Sequence, residues 1–253
     1  MQARTVVEVA AVSLMITIAC AGCGGAAKAG PTTTAAVKPT KTTAAIKPTK
    51  SKWNAGYSTI PPGGDLTFTA SFVVPPVSCL SDKDQDQGIL PDIGAQFKHK
   101  GKYVDVDGLF TLECNDGPQS PELDLYDNGR TLHTRYILGP DTGDHVTITV
   151  TGTPEMSRIT YRDLTNPQHA TLSGPGGTPT FVFAQVDADA TGNPPTFYPV
   201  LKFGKITFKV SLDGKTLAVG HALEATDLTS PAGKVEVTTG PLTGSTTFTT
   251  KQQ

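Results

Sequence analysis

Side chains able to hydrolyse a polymer sit at alternate positions of two short segments. One reads YVDVD and carries Asp105 and Asp107, and the other reads FVFAQVD and carries Gln185 and Asp187. Successive strand residues point to opposite faces, so each couple shares one face. A carboxylate can activate water as a general base, and an amide can stabilise the oxyanion that follows. These four residues are the candidate catalytic set.

A third segment, ELDLY, adds a ligand-binding surface to this set. Its alternation places Glu122, Asp124 and Tyr126 on one face, and Phe183 lies on the same face as Gln185 in its own strand. If the three strands belong to one sheet, that face forms a groove for a peptide or a glycan. The alternative is an ordinary solvated sheet face.

Two acidic motifs offer competing chemistry. ELDLYD is similar to the Glu-x-Asp-x-x-Glu strand of laminarinase-type glycoside hydrolases, with Asp127 in place of the second Glu, but Trp53 is the only Trp available for a sugar platform. SDKDQDQG spaces three acids like a calcium loop, at Asp82, Asp84 and Asp86. It lacks the Gly and Glu that an EF-hand loop requires, so we expect a solvated loop, with a weak calcium site as the alternative.

The sequence predicts no metal centre and no cofactor. No phosphate loop, nucleophile elbow or dinucleotide fingerprint is present. The five histidines lack the spacing of metal ligands: His99, His133, His145, His169 and His221.

Charge and alternation define the domain that must position these residues. The 253 residues have a net charge of −2, and residues 1–52 carry seven basic groups against one acid (+6), which leaves −8 for 53–253. An acidic domain argues against a nucleic-acid partner. Short alternating segments bounded by Gly, Pro, Asn and Asp predict a two-sheet antiparallel jelly-roll sandwich over 53–253, with hairpins at Asn128-Gly129 and at Asp213-Gly214, the latter between KITFKVSL and KTLAVG.

The N-terminus predicts export and a lipid anchor. An apolar run over 9–19 is too short to span a bilayer but fits a signal peptide over 1–22, and Ala21-Gly22-Cys23 resembles a bacterial lipobox with Cys23 as the lipidated residue. Cys20 is the alternative acceptor, and a cleaved signal without a lipid is a further one. Residues 23–52 form a Lys/Pro/Thr-rich tether that repeats AAVKPTK as AAIKPTK. The expected location is therefore extracytoplasmic, on the cell membrane, and in that setting Cys79 and Cys114 are expected to form a disulfide.

Six motifs in order resemble the glutamic peptidases (eqolisins). They are KWNAGY (52–57), FTASFVVPPVSC (68–79), ILPDIGAQF (89–97), GDHVTITVTG (143–152), ITYRDLTNPQ (159–168) and LKFGKITF (201–208). The resemblance implies a concanavalin A-like sandwich with a catalytic Gln and Glu on two neighbouring strands. Where the family has Gln-x-Gly this chain has Val106-Asp107-Gly108, or Asp105 if the register slips by one, and Phe183 stands at the expected place of the Glu.

Because the family's dyad is missing from these positions, the sequence favours a lipid-anchored, non-catalytic module that binds an extracytoplasmic peptide or glycan. The first alternative is an acid-active endopeptidase with an altered dyad, using Asp105 or Asp107 as base and Gln185 as oxyanion donor, with Asp187 nearby. A laminarinase-type glycan hydrolase is the second alternative, and a display lipoprotein without a ligand is the third.

Overall fold

The computed structural model describes residues 46–79, 88–110, 112–113, 117–118, 121–127, 129–137, 139–188, 201–230 and 232–253. Cys20, Cys23, Cys114, the acids of 81–87 and the side chain of Cys79 lie outside the described part, as do the predicted signal peptide and most of the predicted tether. Among the described residues the only helix is a 3-10 turn, Leu217–Val219, and no helix is long and apolar enough to cross a bilayer.

The remaining regular elements are all strands. They are β1 (Thr49–Ser51), β2 (Asn54–Ile60), β3 (Leu66–Val73), β4 (Val77–Cys79), β5 (Gly88–His99), β6 (Lys102–Leu109), β7 (Leu112–Glu113), β8 (Gly117–Pro118), β9 (Glu122–Asp127), β10 (Arg130–Tyr136), β11 (His145–Gly152), β12 (Met156–Asp163), β13 (His169–Pro175), β14 (Thr178–Ala188), β15 (Leu201–Phe203), β16 (Lys205–Leu212), β17 (His221–Thr229), β18 (Val235–Thr239) and β19 (Thr247–Gln252).

Two antiparallel layers follow from the strand pairing. The front sheet runs in the order β10-β9-β6-β5-β14-β2-β17, and the back sheet runs β13-β12-β11-β3-β16-β19-β18. Pairing of β17 with β18 joins the layers along one edge. The predicted antiparallel β-sandwich is confirmed.

The core lies between the layers because each strand turns its apolar alternate residues inward. Tyr57 of the front sheet packs edge-on against Phe248 of the back sheet, with ring centroids 4.9 Å apart. The missing side chain of Gly152 on β11 leaves room for the ring of Phe97 on β5, since a Cβ there would lie 2.1 Å from that ring. This close packing of the layers fixes which face of each front strand points away from the core.

Two details differ from the sequence-based expectation. The segment KTLAVG does not continue the hairpin at Asp213-Gly214: after a single bridge from Leu212 to Lys215 the chain forms the 3-10 turn, which buries Leu217. Strand β1 lies inside the segment interpreted as tether, where it pairs in parallel with β17 and its Ser51 carbonyl accepts a hydrogen bond from Thr229 Oγ1 at 3.0 Å.

Candidate functional site

The three segments singled out by alternation lie in one sheet and turn their polar residues to the same outer face. Val104 and Val106 of β6, Leu123 and Leu125 of β9, and Val182, Ala184 and Val186 of β14 are buried in the core. Strand β5 lies between β14 and β6, so the outer residues of all four strands form one continuous surface. We call this surface the acid face.

An aspartate on β5 completes the centre of the acid face. Asp92 pairs in register with Gln185 of β14, and Asp187 follows two residues further along the same strand. The carboxyl groups of Asp92 and Asp187 are close enough to shift each other's pKa, and the Gln185 side chain shifts the pKa of both. The Oδ1 atom of each carboxyl is buried and has no hydrogen-bond partner among the described residues. We call Asp92 and Asp187 the acid pair.

Burial makes the acid pair hold its protons. Asp92 is 6% exposed. Desolvation, followed by the charges of Asp187 and Asp107, raises its pKa well above the usual range. Desolvation also raises the pKa of Asp187 to about 7, opposed by hydrogen bonds from Asp92 and Gln185 that favour the charged form. Neither residue is in an ion pair, because the two ion pairs found among the described residues are Lys102 with Asp127 and Lys234 with Glu236.

A chain of hydrogen bonds orients the amide that contacts the acid pair. Thr226 Oγ1 donates to Asn54 Oδ1 at 2.9 Å, and Asn54 Nδ2 donates to Gln185 Oε1 at 3.1 Å. Since the oxygen of Gln185 is occupied by Asn54, its NH2 group is the part available to the two carboxyls. The backbone of Gly56 allows the strands to meet here, because a Cβ at this position would lie 2.4 Å from the Ala184 carbonyl oxygen.

A third carboxyl, Asp107, lies one row away. Phe183, Gly94, Asp107 and Asp124 are successive partners across β14, β5, β6 and β9. Asp107 is 9% exposed, and its Oδ1 has no hydrogen-bond partner among the described residues. Desolvation, then the charges of Asp124, Asp105 and Asp187, raises the pKa of Asp107 well above the usual range.

The other predicted acids are tied to neighbours. Asp124 accepts hydrogen bonds from Thr134 Oγ1 at 2.5 Å and from Tyr126 at 3.2 Å. Asp105 accepts one from Gln96 Nε2 at 2.9 Å. Hydrogen bonds from neighbouring side chains therefore fix the carboxyl groups of Asp105 and Asp124 in place.

Glu122 stands at the edge of the acid face. It is half-buried, and desolvation with the nearby charge of Asp124 raises its pKa. Asp127 points to the opposite side of β9 and lies 3.8 Å from Lys102, so the three acids of ELDLYD do not converge as a glycosidase would require.

Gln185 therefore lies next to Asp92 and Asp187, and not next to the Asp105 and Asp107 considered from sequence. Sequence reasoning missed Asp92 and Asn54. The signal for Asp92 was present in ILPDIGAQF, where Asp92, Gly94 and Gln96 alternate with buried Ile93, Ala95 and Phe97. No signal in the sequence singled out Asn54.

A recess lined by apolar and polar side chains lies further along the same sheet. The rings of Phe181 and Phe183 lie 6.0 Å apart, and a cavity of about 450 Å³ opens beside Phe181, Tyr103 and Ile60. Among the described residues no group of three or more His, Cys, Asp or Glu side chains is arranged to hold a metal ion.

Comparison with known proteins supports the fold. No family model matches the chain, and no curated protein matches it. Among solved structures, scytalido-glutamic peptidase bound to a peptide-based transition-state analogue aligns with a TM-score of 0.58 at 15% identity, over 80% of this chain and 98% of that one. A second structure of scytalido-glutamic peptidase, with a transition-state analogue inhibitor, aligns at 0.53 and 16% identity over the same shares. The chain therefore has a glutamic-peptidase-like β-sandwich fold.

Proposed function

We propose that the acid face binds an extended peptide and that the acid pair hydrolyses it. The observation that carries this proposal is the placement of two buried carboxyls, Asp92 and Asp187, on neighbouring strands next to the Gln185 amide, where they shift each other's pKa. Two carboxyls that share one proton supply an acid and a base at the same point, which is what water addition to an amide requires. The fold neighbour that holds a peptide-based analogue supports a peptide as the substrate class.

The shared proton defines the chemical step. In the singly protonated pair, Asp187 is the more exposed member and takes a proton from water as the water oxygen bonds to the peptide carbonyl carbon. The protonated partner gives its proton to the carbonyl oxygen. When the tetrahedral intermediate breaks its C–N bond, Asp187 gives the proton it took from water to the leaving amine, and a hydroxyl of the intermediate returns a proton to Asp92 as the carboxylic acid product forms. The Gln185 NH2 group stabilises the charged form of the pair and is a positioning residue.

This assignment changes the expected pH dependence. The glutamic-peptidase resemblance implies activity at acid pH, but a pair that loses its first proton near pH 7 is doubly protonated in acid and has no base there. We therefore expect activity to rise through about pH 7 and to fall at higher pH, when the second proton leaves.

The test is cleavage of an unfolded protein by the full-length chain between pH 3 and pH 9. New N-termini are identified by mass spectrometry, and incorporation of ¹⁸O from labelled water shows hydrolysis. Asp187→Asn and Asp92→Asn should each lower the rate roughly a thousandfold. Asp65→Asn, an exposed aspartate away from the acid face, is the matched control. Cleavage that survives both acid-pair variants but disappears in Asp105→Asn or Asp107→Asn would replace the acid pair by the sequence-based pairing.

Binding without hydrolysis is the second candidate, and Phe183 favours it. This ring occupies the position where the resemblance expects a catalytic Glu, near a recess that suits a peptide side chain. Under this candidate the wild-type chain releases no new N-termini at any pH, and peptides with a bulky apolar residue still bind. Phe181→Ala should then weaken the binding.

We also propose that the chain is held outside the cytoplasm, on the cell membrane, by a lipid on Cys23. The short apolar run followed by Ala21-Gly22-Cys23 supports this. A bacterial host grown with a clickable palmitate analogue should label the wild type and Cys20→Ala, and should not label Cys23→Ala. Equal labelling of Cys23→Ala and the wild type would reject Cys23 as the acceptor.

A further inference from the structure

The outer face of the back sheet has a composition unlike that of the acid face. Hydroxyl side chains occupy outward positions on its central strands, β3 and β11, while the residues between them are buried. These side chains are Thr67, Thr69, Ser71, Thr147, Thr149 and Thr151. Paired strands lie about 4.8 Å apart and outward residues repeat about every 6.8 Å along a strand, so the hydroxyls form a regular grid.

Positive charges flank this grid. Arg158 and Arg162 of β12 and Lys205, Lys209 and Lys251 of β16 and β19 occupy exposed outward positions. No Asp or Glu occupies an outward position on β3, β11, β12, β13, β16 or β19. Acids at the margin are engaged with neighbours: Glu236 of β18 is buried and paired with Lys234 at 3.2 Å, and Asp213, directly after β16, accepts a hydrogen bond from the Thr67 backbone N–H at 2.7 Å. This face is therefore cationic, although 53–253 as a whole is acidic.

Cations and hydroxyls meet in a groove. Lys209, Ser71, Thr147 and Arg162 are successive partners across β16, β3, β11 and β12. Three strand spacings separate Lys209 from Arg162, about 14 Å, with two hydroxyls between them. A cavity of about 540 Å³ lies over Ser71 and Thr147, with Lys209 and Lys215 at its side.

We propose that this groove binds an anionic polysaccharide, with lysines on the anionic groups and threonine and serine hydroxyls on the oxygens between them. Sulfate, phosphate and carboxylate oxygens accept hydrogen bonds from ammonium and hydroxyl donors. The outward positions of these six strands carry no Phe, Tyr or Trp ring, and His145 and His169 supply the aromatic rings there, so the face lacks the large stacking platforms typical of single-strand binding. A groove along a polar grid suits a linear polymer better than a bilayer surface. Because the two faces lie on opposite sides of the sandwich, bound polymer leaves the acid face open.

The test measures binding of fluorescein-labelled dextran sulfate to the full-length chain by anisotropy over a series of salt concentrations. Unsulfated dextran of the same length is the neutral probe. The wild type should bind dextran sulfate and not dextran. Lys209→Gln/Lys215→Gln should weaken binding about tenfold at 50 mM salt and reduce the slope of log K against log salt by about two. Thr147→Val, which keeps the β-branched shape, should weaken binding and leave the slope unchanged.

The matched control is Lys98→Gln/Lys100→Gln, which removes the same charge from exposed lysines on the front sheet and its hairpin. It should change affinity less than twofold. All variants keep the lysines of 1–52. Those lysines therefore cannot produce a difference between the Lys209/Lys215 double variant and the Lys98/Lys100 double variant. Equal losses of dextran sulfate affinity in the two double variants would overturn the proposal. So would binding to phosphatidylglycerol vesicles or to a single-stranded oligonucleotide that depends on Lys209 and Lys215 and is tighter than binding to dextran sulfate. Amine acetylation of the wild type checks the site directly: dextran sulfate should protect Lys209 and Lys215 and leave Lys98 reactive.

Discussion

Asn54 Nδ2 donates a hydrogen bond to Gln185 Oε1 at 3.1 Å, and this contact turns the NH2 group of Gln185 toward Asp92 and Asp187. The two residues lie on neighbouring strands, β2 and β14, and Thr226 of β17 holds Asn54 from the other side. Three strands thus fix the orientation of one amide. Because that amide stabilises the charged form of both carboxyls, it lowers the pH at which the acid pair loses its proton.

Asn54→Ala should shift the pH dependence of the acid pair upward. Without its acceptor contact the Gln185 amide is free to rotate, and the hydrogen bonds that lower the pKa of Asp187 weaken. The midpoint of the rise in hydrolysis should then lie above pH 7, with a lower maximal rate. Thr226→Val, which removes only the outer contact of the chain, should produce a smaller shift in the same direction. An unchanged midpoint in Asn54→Ala would contradict the role given to this contact.

The free energy of unfolding should fall as pH rises from 5 to 8.5. A carboxyl whose pKa is raised by folding stabilises the native state fully below its unfolded pKa of about 3.9, and that contribution is lost as pH rises through the folded pKa. Asp92, Asp107 and Asp187 all have raised pKa values, and for Asp187 the loss begins near the unfolded pKa of about 3.9 and is complete once the pH has passed the folded value of about 7. We expect Asp187 alone to account for on the order of 2 kcal/mol, because its partial exposure screens the charge.

Urea unfolding of the full-length chain at several pH values measures this effect. Asp187→Asn should flatten the pH dependence, because asparagine does not titrate. Asp65→Asn, at an exposed position, should leave the profile unchanged. Stability that increases from pH 5 to 8.5 would show that these carboxyls are charged in the folded state.

Gly94→Ala should destabilise the front sheet by about 1–3 kcal/mol. A Cβ at this position would lie 2.6 Å from the Phe183 ring, 2.7 Å from Asp107 Cβ and 2.8 Å from the Val106 carbonyl oxygen. The backbone contact cannot be relieved by rotating a side chain, so β5 and β6 must separate locally. Gly204→Ala is the matched control, because its Cβ would meet no atom within 4 Å. Thermal unfolding of the two variants compares them, and equal melting temperatures would refute the close-packing argument.

Thr134→Val should cost about 1–3 kcal/mol of stability, because a buried acceptor loses its donor. The substitution preserves shape but removes the hydroxyl that donates to Asp124 Oδ1, on a carboxylate that is only 3% exposed. Thr131→Val on the same strand is exposed and serves as the control. Urea unfolding of both variants measures the difference in the free energy of unfolding. A variant as stable as wild type would show that Tyr126 alone satisfies Asp124.

Alternation in the sequence was sufficient to place side chains on faces. Apolar and polar residues alternate in YVDVD, ELDLY and FVFAQVD. Because the apolar residues must be buried, each strand can face the core in only one way. The two-sheet architecture also follows from many short alternating segments with turn residues between them. The segment KTLAVG shows the limit of such reasoning, because β-compatible residues formed a 3-10 turn where only one bridge continued the hairpin.

Which strands are neighbours was decided by the tertiary structure alone. Strand β5 enters the front sheet between β14 and β6, and this places Asp92, rather than Asp105 or Asp107, beside Gln185. Pairing between segments almost a hundred residues apart depends on how both sheets bury their apolar faces together, and residue spacing does not encode it. Burial among these strands also raises the pKa of each central carboxyl, because desolvation depends on every layer around a group. The sequence by itself determined the fold class and the two faces of each strand, and the tertiary structure decided which acids meet and in which protonation state.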